Sequence, residues 1–385
     1  MKTQHLVLSL AFGISLSSFG MYSKHNTSQF PENKYITTVR TAHKPIVSKS
    51  KKIQLALLLD TSNSMDGLIH QAKNQLWEMV SQISKESPES SIEIALYHYG
   101  NSGLSALSHY VEQRSPFTNN LDKISSELFK LKTNGGEEYC GAVIKKAVNQ
   151  LDWNEDKTCK KIMVIAGNES FDQGKVSFIT SIASALDKDI ELNTVFCGDR
   201  HSGVIGHWEK AATLSAGEFF VINHNDDVRQ IATPYDDAIL RCNTAVNQTY
   251  VPIFAHQEVE KEDMLANDME QVVECKERMV EKAIVKKNKN VYNKGSWDAV
   301  DQYESNSAQF WSSVNSNAKA LNSAFKDKSE AEIKIEIENI QSSRDSLHTE
   351  IANLESQRTQ YLNENQTKET ENTLGKQLVR SILGN

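Results

Sequence analysis

The sequence predicts an α/β fold: a doubly wound, mostly parallel sheet that is followed by an α-helical region. Apolar runs without alternation, such as residues 55–59, are typical of strands buried on both faces of a parallel sheet. Between these runs, apolar residues recur at steps of three and four, which is the spacing of a helix that packs on a sheet. Because strand and helix patterns alternate over about 190 residues, we expect one sheet with right-handed crossovers.

The elements of this predicted domain, residues 51–250, follow in order along the chain. We expect six strands, at 53–59, 92–99, 104–111, 161–166, 190–197 and 218–222. We expect helices between and after them, at 67–86, 120–131, 142–151, 178–186, 206–214 and 228–240. The short turn at 100–103 indicates a hairpin, so the second and third strands are predicted to form an antiparallel edge.

Composition limits the class of protein. The chain has 385 residues, 39% of them apolar, and a formal net charge of −8. This is long enough for two domains with a real core. The net negative charge and the lack of a dense cluster of Lys and Arg in the sequence argue against nucleic acid as a partner.

The N-terminus has the pattern of a secretory signal. A basic start at Lys2 is followed by an apolar stretch and then by small residues, so we predict a signal peptide at 1–22 and a polar linker at 23–50. No other stretch approaches 18 consecutive apolar residues, so no membrane span is expected after processing. The protein is predicted to be exported, to a periplasm or out of the cell.

Three oxygen-bearing side chains follow the first strand at every second position: Asp60, Ser62 and Ser64. In a turn at the end of a buried strand, such hard ligands can converge on one small divalent cation. The alternative is that they only cap the following helix, for which Ser and Asp are preferred.

The segment 52–247 resembles the von Willebrand factor A domain and its metal-ion-dependent adhesion site, whose first loop reads Asp-x-Ser-x-Ser. The resemblance implies bound Mg²⁺, or Ca²⁺ or Mn²⁺, and a protein partner that coordinates the ion, typically through an acidic side chain. Residues 243–254 also resemble the end of a bacterial subfamily of these domains.

Two later loops depart from the family pattern. Glu137 stands where the family has a metal-binding Thr after paired glycines, and Thr133 does not match that position. Asn168 stands near the place of the family's third-loop Asp. Both keep side-chain oxygens, and all three loops follow carboxyl ends of strands, where α/β sheets bind ligands. We therefore predict a variant metal site formed by Asp60, Ser62, Ser64, Glu137 and Asn168.

The chain has five cysteines, an odd number without metal-site spacing. The predicted fold brings Cys140 and Cys197 to the same edge of the sheet. A disulfide between them and a pair of buried thiols are both compatible with the sequence.

Residues 251–365 form the predicted helical region, with helices at 261–287 and 330–364. The second has a coiled-coil-like seam of about four heptads, interrupted by Arg344 and Arg358. The arginines favour an antiparallel pair folded back on 261–287 over an intermolecular coiled coil, with a homodimer as the alternative. Residues 366–385 are predicted to be a flexible tail with a short apolar segment at 378–383.

The sequence thus predicts an exported, non-enzymatic binding protein. The alternative is a metal-independent scaffold that acts through its helical region. An enzyme is disfavoured because no histidine forms a spaced motif with Cys140 and no nucleotide-binding or metalloprotease motif occurs.

Overall fold

The computed structural model describes residues 52–223, 231–365 and 373–383. The predicted signal peptide at 1–22 and linker at 23–50 lie outside these residues. Among the described helices, none is long and apolar enough to cross a membrane.

The described chain is organised around a six-stranded sheet with the order β3-β2-β1-β4-β5-β6. Its strands are β1 (Lys52–Asp60), β2 (Ser91–Tyr99), β3 (Val111–Thr118), β4 (Cys159–Gly167), β5 (Glu191–Cys197) and β6 (Phe219–Ile222). All neighbours pair in parallel except β2 and β3, which are antiparallel. The predicted α/β class, the central parallel strands and the antiparallel edge are confirmed.

The third strand is the one strand whose predicted position is wrong. Residues 104–110 form a turn with a short 3₁₀ segment, Ala106–Ser108, and Leu107 is 96% exposed. The true strand begins at Val111 and carries Pro116, which suits an edge strand because proline cannot donate a ladder hydrogen bond. Its few apolar residues made it less visible than the apolar turn before it.

Seven helices accompany the sheet. They are α1 (Asp66–Glu86), α2 (Leu121–Lys130), α3 (Cys140–Gln150), α4 (Phe178–Leu186), α5 (Arg200–Ile205), α6 (Trp208–Leu214) and α7 (Asp236–Gln248). The helix predicted at 206–214 is α6, and the sequence pattern missed the short α5 before it; His207, in a left-handed conformation (φ 69°), separates the two. The last helix lies later than its predicted range of 228–240, of which residues 228–230 are outside the described residues.

Both faces of the sheet are covered, as the apolar strands require. Alternate residues of β1 point to opposite sides: Leu57 packs with the α1 face, and Leu58 with the α3, α4 and α6 face. Burial on both sides explains why the central strands read as continuous apolar runs.

The helical region consists of α8 (Glu258–Glu274), α9 (Lys276–Lys286), α10 (Ala299–Ser305), α11 (Ser307–Ser316), α12 (Glu330–Asn365) and α13 (Leu374–Leu383). The helix predicted at 261–287 is broken at Cys275, which is extended (φ −158°, ψ 104°). Helix α9 packs on α1, and α12 packs chiefly on α7. The region therefore covers the α1 face of the sheet domain.

The seam of α12 faces its own chain. Ile333, Ile337 and Ile351 are buried, as are both arginines that interrupt the apolar pattern. Arg344 donates to Asp298 (2.9 Å) and Asp301 (2.8 Å), while Arg358 donates to Asp236 (3.1 Å) and Glu281 (2.6 Å). Because the seam is occupied within the chain, it is not free to form the homodimer considered from the sequence.

A buried ion cluster joins α2 to the helical region. Lys294 Nζ lies 2.8 Å from Asp122 Oδ2, Lys286 Nζ lies 2.7 Å from Asp268 Oδ2, and Lys282 contacts both aspartates. Burial acts to raise the pKa of Asp122, but the charges of Lys282, Lys294 and Lys286 outweigh it and hold that pKa below its usual range. The chain thus neutralises these acids with its own lysines.

The C-terminal residues differ from the predicted flexible tail. Helix α13 packs on α1 and against β4 and β5, and its Leu374, Leu378 and Ile382 are buried. The Leu374 N–H donates to Gln71 Oε1 (3.2 Å), and the Gly375 N–H donates to Gln75 Oε1 (2.7 Å). The amphipathic pattern of α13 is sufficient for these residues to form a packed helix, because α1 provides an apolar face for them.

Cys140 and Cys197 are both free thiols. The disulfide considered between them is therefore not formed, and both residues are buried in the core as small apolar side chains.

Candidate metal centre

The candidate site begins where β1 ends, at Asp60. This side chain is fully buried, and its Oδ1 accepts a hydrogen bond from the Ser62 N–H at 2.7 Å. Within the described part of the chain, its Oδ2 has no hydrogen-bond partner although it is buried. An unpaired carboxylate oxygen in the protein interior is costly, so it points to a missing counterpart.

The carboxylate that the structure places beside Asp60 is Glu138, whereas the predicted Glu137 points away. Glu137 is exposed, and its Oε2 accepts a hydrogen bond from the Tyr139 hydroxyl (3.4 Å). Glu138 is only 7% exposed, and its Oε2 is buried without a hydrogen-bond partner among the described residues. The two glutamates lie in the irregular segment that precedes α3.

Gly100 lets the two carboxylates approach the β2–β3 turn. It has a left-handed conformation (φ 74°), and a Cβ atom there would lie 2.6 Å from Asp60 Oδ1 and 2.8 Å from Glu138 Cγ. Any side chain would therefore collide with both acids, apart from the strain of its backbone. Gly100 thus places Asp60 and Glu138 against the same point of the backbone.

The remaining oxygens come from two serines and an asparagine. The Ser62 and Ser64 hydroxyl oxygens lie 3.4 Å apart, and Asn168 Nδ2 donates to Ser64 Oγ at 3.0 Å. Among the described residues, the Asn168 Oδ1 is buried and lacks a partner. The structure thus brings together four of the five predicted residues, Asp60, Ser62, Ser64 and Asn168, and replaces the fifth by Glu138.

Hydrogen bonds between loops fix this arrangement. The Asn134 N–H donates to the Thr61 carbonyl oxygen (2.9 Å), and Asn101 Nδ2 donates to the Lys132 carbonyl oxygen (2.9 Å). The Thr61 hydroxyl lies 3.0 Å from His98 Nδ1, and His98 Nε2 lies 2.7 Å from Glu112. The first loop is therefore held in place from the sheet side as well as by its neighbours.

The electrostatics of the site follow from burial and like charge. Burial, with a smaller contribution from the charge of Glu169, raises the pKa of Asp60 to about 7. Burial and the charge of Asp60 raise the pKa of Glu138 to about 9. Among the described residues, neither carboxylate forms an ion pair with Lys, Arg or His. Without an added cation, the pair retains protons at neutral pH.

These side chains fit a small divalent cation. Two carboxylates, two hydroxyls and one amide oxygen are hard ligands of the kind that Mg²⁺, Ca²⁺ and Mn²⁺ prefer. In residues 52–223, 231–365 and 373–383, no group of three or more His, Cys, Asp or Glu that could hold a metal was found. Binding would thus depend on the neutral oxygens as well as on the acids.

The sequence alone does not separate Glu138 from Glu137, because the two residues are adjacent and chemically equal. Which of them lies inward depends on the irregular backbone before α3, where Tyr139 has φ −89° and ψ 80°. Gly100 carried no sequence signal beyond its turn, because its role depends on two acids that are distant along the chain.

The comparisons with known proteins agree with the resemblance. The model of the von Willebrand factor type A domain matches residues 54–231, which contain Asp60, Glu138 and Asn168. No curated protein was found to match the chain.

Three solved structures that are similar to this chain each cover less than half of it. The von Willebrand factor A domain of SpRpn10 is 17% identical and covers 44% of this chain and 87% of its own, with a TM-score of 0.34. An aerotolerance-related membrane protein of Bacteroides fragilis is 15% identical and covers 45% and 93%, with a TM-score of 0.30. The pilus adhesin SpaC of Lactobacillus rhamnosus GG is 12% identical and covers 44% and 28%, with a TM-score of 0.33.

Proposed function

We propose, from the premise that residues 54–231 are a von Willebrand factor type A domain, that this chain is a non-enzymatic binding protein. Its partner is a protein that it recognises through a divalent cation, Mg²⁺ or alternatively Ca²⁺ or Mn²⁺. Asp60, Ser62, Ser64, Glu138 and Asn168 hold the ion.

The observation that supports this proposal is the buried pair of Asp60 and Glu138 without a cationic side chain. Two adjacent buried carboxylates repel each other and lose their hydration, so the folded chain is stabilised by anything that neutralises them. A divalent ion matches their combined charge. It also gives the unpaired oxygens of Asp60, Glu138 and Asn168 a common ligand.

The bound ion would supply a coordination position for an oxygen of the partner. Asp60 and Glu138 orient their carboxylates toward the site, and Ser62 and Ser64 supply neutral oxygens. Because Glu138 adds a second carboxylate beside Asp60, the loaded site is closer to neutral. We therefore expect weaker attraction for an acidic side chain of the partner than in a site with one carboxylate fewer.

Calorimetric titration of Mg²⁺, Ca²⁺ and Mn²⁺ into chelator-treated protein tests the proposal. We expect saturable binding that is abolished by Asp60→Ala and weakened at least about tenfold by Glu138→Gln. Glu137→Gln is the matched control, because it removes a neighbouring but exposed carboxylate and should change nothing. Unchanged affinity in Asp60→Ala would disprove the site.

The export proposal depends on the N-terminal residues alone. Lys2 and the following apolar stretch are typical of a secretory signal, so we propose that the mature protein is periplasmic or extracellular. Sequencing the N-terminus of the protein in fractionated cells tests this. An intact N-terminus in the cytosol would contradict it.

A metal-independent scaffold is the second candidate, and the exposed apolar side of α8 favours it. Failure of all three ions to bind would shift the proposal to this function. An enzymatic role for Cys140 has little support, because burial raises the pKa of its thiol far above neutrality and disfavours the reactive thiolate.

A further inference from the structure

Helix α8 is anchored to the protein along one side only. On that side Met264 is buried, Asp268 pairs with Lys282 and Lys286, and Gln271 Oε1 accepts a hydrogen bond from Trp77 Nε1 (3.3 Å). These contacts fix the rotation of the helix about its axis. The side that faces outward is therefore well defined.

The outward side carries an apolar stripe. Val259 is 52% exposed, Met269 73% and Val273 88%, and Ala266 is also exposed. Val259, Ala266 and Val273 are seven residues apart, and Met269 follows Ala266 by three, which is the spacing of a coiled-coil seam.

Exposed apolar side chains in such a continuous row indicate an interaction surface. A single exposed valine would not, since isolated apolar residues are common on protein surfaces. Here four residues share one face of one rigid helix, which we call the α8 seam.

Acidic residues line the α8 seam. Glu262 occupies a position within the seam, three residues after Val259. Asp263 and Glu270 are exposed beside it, and Lys261 is the one basic residue in the sequence of α8. In paired helices, charged residues beside the apolar seam select the partner. A second α8 seam would bring like charges together, whereas a basic helix would bring opposite ones together.

We propose that the α8 seam is a docking site for a basic amphipathic helix of another protein. The partner helix has apolar residues at coiled-coil spacing and Lys or Arg beside them, so its apolar face packs on Val259, Ala266, Met269 and Val273. This inference is independent of the candidate metal centre.

The probe is a synthetic helical peptide of three heptads with leucine at the seam positions and lysine beside them, titrated against the full chain by fluorescence anisotropy. A peptide with glutamate in place of each lysine is the charge control. The protein variants are Met269→Glu with Val273→Glu, and Ile335→Glu, which changes a 58% exposed isoleucine of α12 outside the seam.

We expect saturable binding of the lysine peptide at low ionic strength. It should weaken by at least about tenfold in the double variant and for the glutamate peptide, and it should be unchanged in Ile335→Glu. Circular dichroism checks the folding of each variant, and Val259→Glu, at the other end of the seam, provides a second test.

Three results would overturn the proposal. They are no saturable binding to the natural sequence, equal binding by the double variant, and equal affinity for both peptides. Sedimentation of the protein alone provides the fourth outcome: a dimer that is lost in the double variant would assign the seam to a second copy of this chain.

Discussion

The Asp122 and Asp268 pair and the Asp60 and Glu138 pair are both withdrawn from solvent, but their charges meet opposite surroundings. Lys282, Lys286 and Lys294 surround the first pair, whose pKa values lie below their usual range despite burial. The second pair has no cationic side chain among the described residues, and its pKa values are raised. The comparison indicates that lysines neutralise the buried acids that join helices. Among the described residues, no cationic side chain neutralises the buried acids at the edge of the sheet where a ligand can enter.

The largest effect is expected from disrupting the pair of Asp122 and Asp268, whose charges are neutralised by lysines. Asp122→Ala leaves Lys282 and Lys294 buried without one of their partners, so we expect a loss of about 3–5 kcal/mol in the free energy of unfolding. Urea denaturation measures it. Glu338→Gln, in the exposed pair with Lys334, is the control and should stay within about 0.5 kcal/mol. A loss below about 1 kcal/mol in Asp122→Ala would contradict the importance of the cluster.

A change of pH should act oppositely on the two pairs. The raised pKa values of Asp60 and Glu138 mean that the folded chain holds protons that the unfolded chain has released. Their contribution is complete below about pH 4 and is lost as pH rises through about 7 and 9. The lowered pKa values of Asp122 and Asp268 give a contribution that is lost as pH falls below about 4.

Other buried groups titrate in this range, among them His348, whose pKa is lowered to about 4 by burial. The measurement is therefore the difference in unfolding free energy between the natural sequence and Asp60→Asn with Glu138→Gln, in chelator. That difference should fall from pH 5 to pH 9, and saturating Mg²⁺ should oppose the fall. A flat difference would contradict the raised pKa values.

Replacing one acid of the Asp60 and Glu138 pair by a neutral residue should stabilise the protein. Glu138→Gln removes a buried carboxylate whose charge Asp60 repels, so we expect a gain of about 1 kcal/mol without metal at pH 8. Thermal unfolding with chelator and with Mg²⁺ provides the test. The natural sequence should gain more from Mg²⁺ than the variant does, and a loss of stability in chelator would count against the proposed repulsion.

The smallest expected effect concerns the neighbouring glutamate. Glu137→Gln should leave both the unfolding free energy and the affinity for Mg²⁺ unchanged, because Glu137 is exposed and outside the site. Paired denaturation and calorimetric measurements check this. A loss of affinity equal to that in Glu138→Gln would restore the original sequence prediction.

The parts of the fold that depend on local pattern were predictable. The central strands, the helix α4 and the long helix α12 follow from apolar runs and helical periodicity. The third strand was not, because an edge strand with Glu112, Gln113 and Arg114 has no apolar pattern, while the preceding turn exposes Leu107. The packing of α13 depends on Gln71 and Gln75 of α1, far away in sequence.

The candidate site was predictable where one loop supplied the ligands in a row. Asp60, Ser62 and Ser64 could be read from a single motif, and Asn168 followed from the end of the next central strand. Glu137 and Glu138 are chemically equal, and only the backbone conformation of the segment before α3 separates them. Likewise, Arg344 and Arg358 looked like gaps in a seam until Asp298 and Asp236 were placed opposite them.

The place of α13 in the core affects how the protein can be synthesised. The last helix of the chain packs on α1, and its Leu374 bonds to a residue 303 positions earlier. The part of α1 that receives Leu374 and Gly375 therefore stays uncovered until residues 374–383 have been synthesised. Folding that depends on such distant contacts is slow.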